Sequence, residues 1–160
     1  MNLPTSQHPA LALFHPAVSS WFRQRFATVT DAQARAWPLI HAGQSVLLTA
    51  PTGSGKTLSA FLAVLDELFR EGLANDGQLA EQTQVIYVSP LKALSNDIRL
   101  NLQAPLEGIS QVIQAQGLQA PQITTAVRTG DTPQKERAAM RRSAPHLLLT
   151  TPESPYVLLG

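Results

Sequence analysis

A glycine-rich loop between an apolar run and an amphipathic run is the feature that most restricts the folds this chain can adopt. Residues Ala50 to Thr57 are Ala-Pro-Thr-Gly-Ser-Gly-Lys-Thr, directly after Val46-Leu47-Leu48 and directly before a helical pattern that begins at Leu58. Such a loop joins the end of a buried strand to the start of a helix. The loop therefore predicts an α/β fold in which a phosphate-binding loop (P-loop) lies at one edge of a parallel sheet.

The same loop has the chemistry of a nucleotide phosphate site. Its glycines let backbone N–H groups surround phosphate oxygens, Lys56 neutralises charge on the terminal phosphates, and the Thr57 hydroxyl can ligate Mg²⁺. The following helix directs its positive end at the phosphates. A glycine-rich turn with a chance lysine is the alternative, and the strand before and helix after the loop disfavour it. Ala50 stands where the general pattern has glycine.

Composition narrows the class of protein but does not identify a partner. The chain has 160 residues, of which 44% are hydrophobic and 14% charged, enough apolar content for a substantial core. It has no apolar stretch of membrane-spanning length and no signal-peptide pattern, so we expect no membrane partner and a cytoplasmic location. It has no cysteine, its four histidines are scattered, and its net charge is +1. Disulfides are excluded, and any nucleic-acid binding must come from local groups.

Four short β-rich runs alternate with helical segments. The runs are Ser45 to Ala50, Val85 to Ser89, Ile123 to Arg128 and His146 to Thr150. The apolar cores of the first, second and fourth runs are continuous, which predicts strands covered on both faces of a parallel sheet.

Helices are predicted on both sides of the P-loop. One covers Pro16 to about Phe26. Another covers Asp31 to Ala42, with Thr30 as N-cap, and because of Pro38 it should kink or loosen near Ala34 to Trp37. Before them, the first eight residues are expected to be disordered.

The helix after the P-loop should cover Leu58 to Arg70. Its apolar residues are spaced for docking on the sheet, while Asp66, Glu67 and Arg70 are expected mainly on another face. Gly72 to Gln84 is polar and predicts a surface loop.

Polar motifs follow three of the predicted strands. Thr132 and Thr151 suit N-caps with proline at the first helical position. Threonine hydroxyls, backbone amides and helix N-termini in a row suit a nucleic-acid phosphate backbone, although Thr-Pro pairs are also simply good helix caps. The candidate nucleic-acid residues are Ser89, Pro90, Leu91, Lys92, Arg128, Thr129, Gly130, Thr151 and Pro152.

These motifs together resemble the first RecA-like domain of superfamily 2 helicases, and more narrowly the large helicase-related (Lhr) family of DExH helicases. The resemblance covers about Phe14 to Gly160, and in it alanine is the ordinary residue at the position of Ala50. The Pro-Leu-Lys-Ala-Leu and Thr-Pro-Glu-Ser forms distinguish the chain from DEAD-box RNA helicases. Ski2-like helicases are the nearest competing family. The matching segments are Gln33, Ala50 to Thr57, Ser89 to Leu94, Thr129 to Thr132 and Thr151 to Ser154.

The resemblance implies a cofactor, a partner and a domain division. The cofactors are ATP and Mg²⁺, with Lys56 and Thr57 as catalytic residues and Gln33 recognising adenine through its amide. The partner is single-stranded DNA, with RNA or a DNA–RNA hybrid as alternatives, and the family implies 3′-to-5′ movement. Residues 1–13 form an N-terminal extension and residues 14–160 a partial ATP-binding domain. The predicted nucleotide-binding residues are Gln33, Ala50, Pro51, Thr52, Gly53, Ser54, Gly55, Lys56 and Thr57.

Phe14 could stack on the adenine base of ATP. However, Phe14, Trp21 and Phe22 are each expected, before any binding role, to be core residues.

The family's catalytic Asp-Glu-x-His segment and its second RecA-like domain do not occur in these 160 residues. The chain is therefore expected to be a fragment that binds ligands, with the remainder of the helicase as its partner and marginal stability alone. A non-catalytic remnant is one alternative. A P-loop kinase or transport ATPase is another, which the motifs at three strand ends disfavour.

Overall fold

The computed structural model describes residues 3–4, 8–46, 56–89, 98–130 and 132–152. Within these ranges the strands are β1 (Leu3–Pro4), β2 (Thr28–Val29), β3 (Val85–Val88), β4 (Thr125–Arg128) and β5 (Leu147–Thr150). The α-helices are α1 (Pro16–Arg25), α2 (Asp31–His41), α3 (Lys56–Ala74), α4 (Ala104–Ala115) and α5 (Gln134–Arg142). A 3₁₀ helix, Pro9–Leu13, precedes α1, and a π-helical turn, Arg99–Gln103, runs into α4.

The main sheet is parallel and has the order β3-β5-β4. Val85 and Thr125 both pair with Leu147, and the register continues to Val88 and Arg128 beside Thr150. The predicted α/β class and three of the four predicted strands are therefore confirmed. The fourth prediction, Ser45 to Ala50, lies mostly outside the described residues, and Ser45 and Val46 are not in a strand.

The prediction that both faces of β3 are covered was wrong. Val85 and Tyr87 are half-buried against the core, whereas Ile86 and Val88 are 59% and 47% exposed. Of the strands whose burial is described, β2 to β5, only the central β5 is buried along its whole length. Because side chains alternate between the faces of a strand, β3 has one apolar face in contact with the core and one open to solvent.

Helices α1 and α2 form where the sequence predicts them, and local capping explains both starts. Thr30 and Gln33 make a reciprocal capping box at the start of α2. The helix continues through Pro38 to His41. His15 caps α1, because its Nδ1 accepts a hydrogen bond from the Ala17 N–H over 3.1 Å.

Helix α3 buries the predicted apolar face, including Leu58, Phe61, Leu62 and Leu65. Asp66 was predicted mainly toward another face, but it is only 1% exposed. One carboxylate oxygen accepts a bond from the His15 N–H at 2.7 Å, and the other accepts from Arg70 Nε at 3.0 Å. A contact 51 residues away in sequence thus explains the burial of this carboxylate.

The predicted loop begins later than Gly72. Residues 72–74 are the last turn of α3, and the irregular segment covers residues 75–84. Gly72 is needed there because a Cβ atom on it would overlap the ring of Pro121.

The core lies between the helices and one face of the sheet and contains several contacting aromatic rings. The edge of Phe14 meets the ring of Trp37 with centroids 4.9 Å apart, and Phe22 meets the same ring at 5.5 Å. Phe14, Trp21 and Phe22 are buried, which confirms their expected role in packing.

The N-terminal residues contradict the prediction of disorder where they are described. Leu3 and Pro4 pair antiparallel with Val29 and Thr28, and His8 is buried. Leu11 is fully buried in the same core as Phe14.

Candidate nucleotide and nucleic-acid site

Helix α3 begins at Lys56, at the end of the P-loop. Thr57 follows in its first turn and is half-buried. Ala50, Pro51, Thr52, Gly53, Ser54 and Gly55 lie outside the described residues, as does the side chain of Lys56. The structure therefore describes the helix start that would face the phosphates, and the role of the loop stays a prediction.

Gln33 is buried, with 3% of its surface exposed, rather than being an exposed helical glutamine. Its Oε1 accepts a hydrogen bond from the Thr30 N–H at 3.0 Å, and its own N–H donates to Thr30 Oγ1 at 3.1 Å. The capping box fixes the orientation of the amide. Because a carbonyl oxygen has two lone pairs, Oε1 keeps the capacity for a second donor such as an adenine amino group.

A buried hydrogen bond connects the helix of Gln33 to the helix of the P-loop. Trp37 Nε1–H donates to the carbonyl oxygen of Ser59 over 3.0 Å, and the indole is fully buried. Gln33 and the two described residues of the P-loop, Lys56 and Thr57, are thus on two helices that are hydrogen-bonded to each other.

The carboxyl ends of the three parallel strands lie side by side. The Ser89 N–H donates to the carbonyl oxygen of Thr150 over 3.0 Å. The Thr150 hydroxyl donates to the carbonyl oxygen of Arg128 over 2.6 Å. These bonds bring Ser89, Thr151 and Thr129, each the residue after its strand, to one edge of the sheet, which is where ligands bind in open α/β sheets.

The residues of this edge differ in their access to solvent. Ser89 is 5% exposed and Thr151 is fully buried. Arg128 and Thr129 are half-buried, whereas Gly130 and Pro152 are exposed. A ligand at the edge would therefore meet Gly130 and Pro152 before the other candidates. Pro90, Leu91 and Lys92 lie outside the described residues.

Thr132 does not cap α5 as predicted. The N-cap position is Pro133, without a side-chain capping bond, so proline is not at the first helical position either. Thr132 Oγ1 instead accepts from the Thr129 N–H at 2.8 Å and closes the turn after β4. A threonine hydroxyl can accept from a backbone N–H in a turn or at a helix start, and here it accepts from the N–H in the turn. The helix expected after Thr151 lies outside the described residues.

The residue that sequence reasoning missed is Arg137. Its Nη2 donates to the carbonyl oxygens of Thr129 and Gly130, over 3.1 and 3.2 Å. Within the described part of the chain, the buried Nε atoms of Arg137 and Arg128 have no hydrogen-bond partner. Arg137 follows the turn by several residues on a different element, so no local motif marks it.

None of the described helices is both long and apolar enough to cross a bilayer.

A parallel sheet, flanking helices and a helix that starts at a P-loop lysine are features of a P-loop α/β domain, and the similar solved structures are RecA-like helicase domains. The chain belongs to the DEAD/DEAH box helicase family, whose family model matches residues 30–159. Within that class it is strongly homologous to the Lhr helicases, as the sequence motifs predicted.

Three relatives and one solved structure show the extent of this homology. The ATP-dependent helicase Lhr-Core of Methanothermobacter thermautotrophicus is 49% identical over 92% of this chain and 17% of its own length. The Lhr helicase/probable uracil glycosylase of Mycolicibacterium smegmatis is 47% identical over 98% of this chain and 10% of its own length. The Lhr helicase/uracil glycosylase of Escherichia coli is 42% identical over 92% of this chain and 10% of its own length.

The solved structure of Mycobacterium smegmatis helicase Lhr bound to ssDNA and AMP-PNP matches with a TM-score of 0.84 and 47% identity. The match covers 95% of this chain and 18% of that chain. The DUF1998 helicase MrfA, 23% identical with a TM-score of 0.66 over 96% of this chain and 18% of that one, supports the fold alone. This chain thus spans less than a fifth of the length of each relative named above.

Proposed function

We propose that this chain is the N-terminal part of an ATP-dependent 3′-to-5′ DNA helicase or translocase of the Lhr type. The observation that supports this most is its likeness, at 47% identity and a TM-score of 0.84, to an Lhr helicase bound to ssDNA and AMP-PNP. In the proposed division, residues 14–160 belong to the first RecA-like domain and residues 1–13 extend it. A cytoplasmic location stays a prediction.

The proposed nucleotide site combines Gln33 with the start of α3. The amide of Gln33, whose oxygen is held by Thr30, carries the donor and acceptor that would pair with an adenine edge. Lys56 and the helix N-terminus would hold the phosphates, and Thr57 would hold Mg²⁺ through its hydroxyl. ATP supplies the phosphoryl group whose transfer to water drives movement.

The proposed nucleic-acid track is the carboxyl edge of β3, β5 and β4. Its exposed residue Gly130 and half-buried residues Arg128 and Thr129 offer a backbone amide, a guanidinium and a hydroxyl, groups that contact phosphates. Ser89 and Thr151 are buried and would stabilise the strand ends without contacting the nucleic acid. RNA or a DNA–RNA hybrid remain alternative strands for this track.

The remaining parts of the motor are proposed to lie in further polypeptide. Ile86 and Val88 expose an apolar face on β3, which agrees with additional chain that packs there in the intact enzyme. We propose that this additional chain carries the Asp-Glu-x-His segment and the second motor domain. By itself, the 160-residue chain should bind nucleotide and DNA without turnover.

Binding measurements on this chain test the proposal. A fluorescent ATP analogue with Mg²⁺, and a fluorescein-labelled single-stranded oligonucleotide, are titrated against wild type, Lys56→Ala and Lys135→Ala. Lys135 is an exposed lysine of α5 and serves as the matched control for the nucleotide titration. Lys56→Ala should weaken nucleotide binding by about tenfold or more, since a charge-assisted phosphate contact is lost. A folded wild-type chain that binds neither ligand would refute the proposal and favour a non-catalytic remnant.

A further inference from the structure

The turn after β4 is held in place by a cation from the next helix. Arg137 Nη2 donates to the carbonyl oxygens of both Thr129 and Gly130. The turn is closed from the other side by Thr132, whose Oγ1 accepts from the Thr129 N–H and whose own N–H donates to the Thr129 carbonyl at 3.2 Å. Bonds to Arg137 and Thr132 therefore hold Thr129 and Gly130 in place.

The position of Arg137 is electrostatically unfavourable for α5 itself. It is the fourth residue of a helix that starts at Gln134, and a cation near a helix N-terminus is opposed by the helix dipole. The guanidinium is half-buried, and its buried Nε has no partner among the described residues. The two carbonyl bonds are thus the interactions that compensate this placement.

We propose that Arg137 is a positioning residue for the nucleic-acid track, an inference that rests on the proposed function. By binding the carbonyl oxygens of Thr129 and Gly130, it turns two partial negative charges away from an approaching phosphate. Gly130 is exposed, and no described heavy atom lies within 4 Å of the position a Cβ atom would take, so a phosphate can approach its backbone closely. The residue acts through the turn and does not contact the phosphate.

The test compares Arg137→Lys and Arg137→Gln with Arg141→Gln, an exposed arginine on the same helix. Single-strand affinity is measured over a range of salt concentrations, together with nucleotide-analogue affinity and the thermal midpoint. Both Arg137 variants should weaken DNA binding about tenfold, because a lysine cannot reproduce the planar fork of an arginine. The slope of log K against log salt and the nucleotide affinity should match wild type.

Other outcomes would overturn the inference. A salt slope reduced by about 0.7, with affinity restored by lysine, would make Arg137 a direct phosphate contact. A lowered thermal midpoint with equal losses of nucleotide and DNA binding would make it only structural. Variants that bind DNA like wild type would refute the inference alone, whereas a folded wild type without DNA binding would refute the proposed function.

A measurement on the wild-type chain covers the case in which the variants do not fold. The amide NMR signal of Gly130 should shift on titration with the oligonucleotide, while that of Gly43, at the end of α2, should not. An unshifted Gly130 signal at saturating DNA would contradict the inference.

Discussion

The indole Nε1–H of Trp37 donates a hydrogen bond to the carbonyl oxygen of Ser59, over 3.0 Å and within the buried core. Trp37 is on the helix of Gln33, and Ser59 is in the first turn of the helix that follows the P-loop. This bond gives the two helices of the proposed nucleotide site a fixed relationship, to which Phe14 and Phe22 add edge-to-face ring contacts.

Replacing Trp37 by phenylalanine should destabilise the chain. The variant loses the bond to Ser59 and leaves space beside a side chain that is fully buried, so the free energy of unfolding should fall by about 1–3 kcal/mol. Chemical denaturation measures the change. Leu39→Ala, at a position of the same helix that is 41% exposed, is the control and should change stability by less than about 0.5 kcal/mol. Equal losses in the two variants would contradict the account of this contact.

His15 should make stability depend on pH. Burial, and then the charge of Arg70, lower the pKa of its imidazole below 6.5, while Asp66 acts in the opposite direction. The folded state therefore resists protonation more than the unfolded state does, so the stabilisation is present above pH 6.5 and is lost as the pH falls through the lowered pKa. Protonation also removes the Nδ1 acceptor that binds the Ala17 N–H.

His15→Asn keeps an N-cap acceptor but does not titrate. Denaturation midpoints measured between about pH 8 and pH 5 should fall more steeply for wild type than for this variant. His15→Ala loses the cap acceptor, so near pH 8 it should be less stable than His15→Asn. Like His15→Asn, it should lack the pH dependence that the imidazole contributes. Parallel curves for wild type and His15→Asn would show that the imidazole is not coupled to folding.

Asp66→Ala should lower stability more than a neighbouring acidic substitution does. The carboxylate is buried and accepts bonds from the His15 N–H and from Arg70. Because Arg70 is 43% exposed and can regain water, we expect a loss of about 2 kcal/mol rather than the larger cost of breaking a fully buried pair. Glu67→Ala, on the exposed side of α3, is the control for the denaturation experiment. A loss no larger than that of Glu67→Ala would be inconsistent with the structural role of Asp66.

Gly130→Ala separates ligand binding from folding. An added methyl group would meet no heavy atom of the described residues within 4 Å, so stability should change by less than about 0.5 kcal/mol. The methyl group would stand where a phosphate approaches the backbone, and single-strand affinity should fall several-fold. Gly43→Ala should lower stability and leave the affinity for DNA unchanged. Because φ at Gly43 is 79°, an alanine there should reduce the free energy of unfolding by about 1 kcal/mol. Fluorescence anisotropy and denaturation measure the two effects, and unchanged DNA affinity in Gly130→Ala would remove this residue from the track.

Local patterns predicted most of the secondary structure. The capping residue Thr30 fixed the start of α2, and apolar spacing from Leu58 to Leu65 identified the buried face of α3. The continuous run Val85 to Val88 identified a strand, but its composition could not show which face the core covers. Apolar residues of a strand look alike in sequence whether or not something packs on them.

The errors arose where contacts between distant residues decide the structure. Asp66 is buried because the chain returns to it at His15, and the exposed side of a helical pattern gives no sign of this. The sequence predicts a helix that carries Leu94, Ile98 and Leu102, but not its continuation through α4 to Ala115. Helix α4 packs closely on α1 because Gly108 leaves room for the ring of Trp21, which a Cβ atom would overlap.

In the candidate site, motif resemblance supplied Gln33 and the strand-end residues, and the structure supplied their surroundings. Arg137 was missed because an arginine in a polar helix usually indicates a solvated face. Its place in the first turns of α5, against the helix dipole, was the available signal.

The central claim is that this chain forms part of the ATPase centre of a DNA helicase. The most direct test is ATP hydrolysis by the longer polypeptide that we propose contains it, measured with and without single-stranded DNA. The wild type should hydrolyse ATP with stimulation by the single strand, and Lys56→Ala should lower the rate by about a hundredfold or more, since one preorganised charge on the transferred phosphoryl group is lost. Turnover in Lys56→Ala equal to that of wild type would contradict the claim.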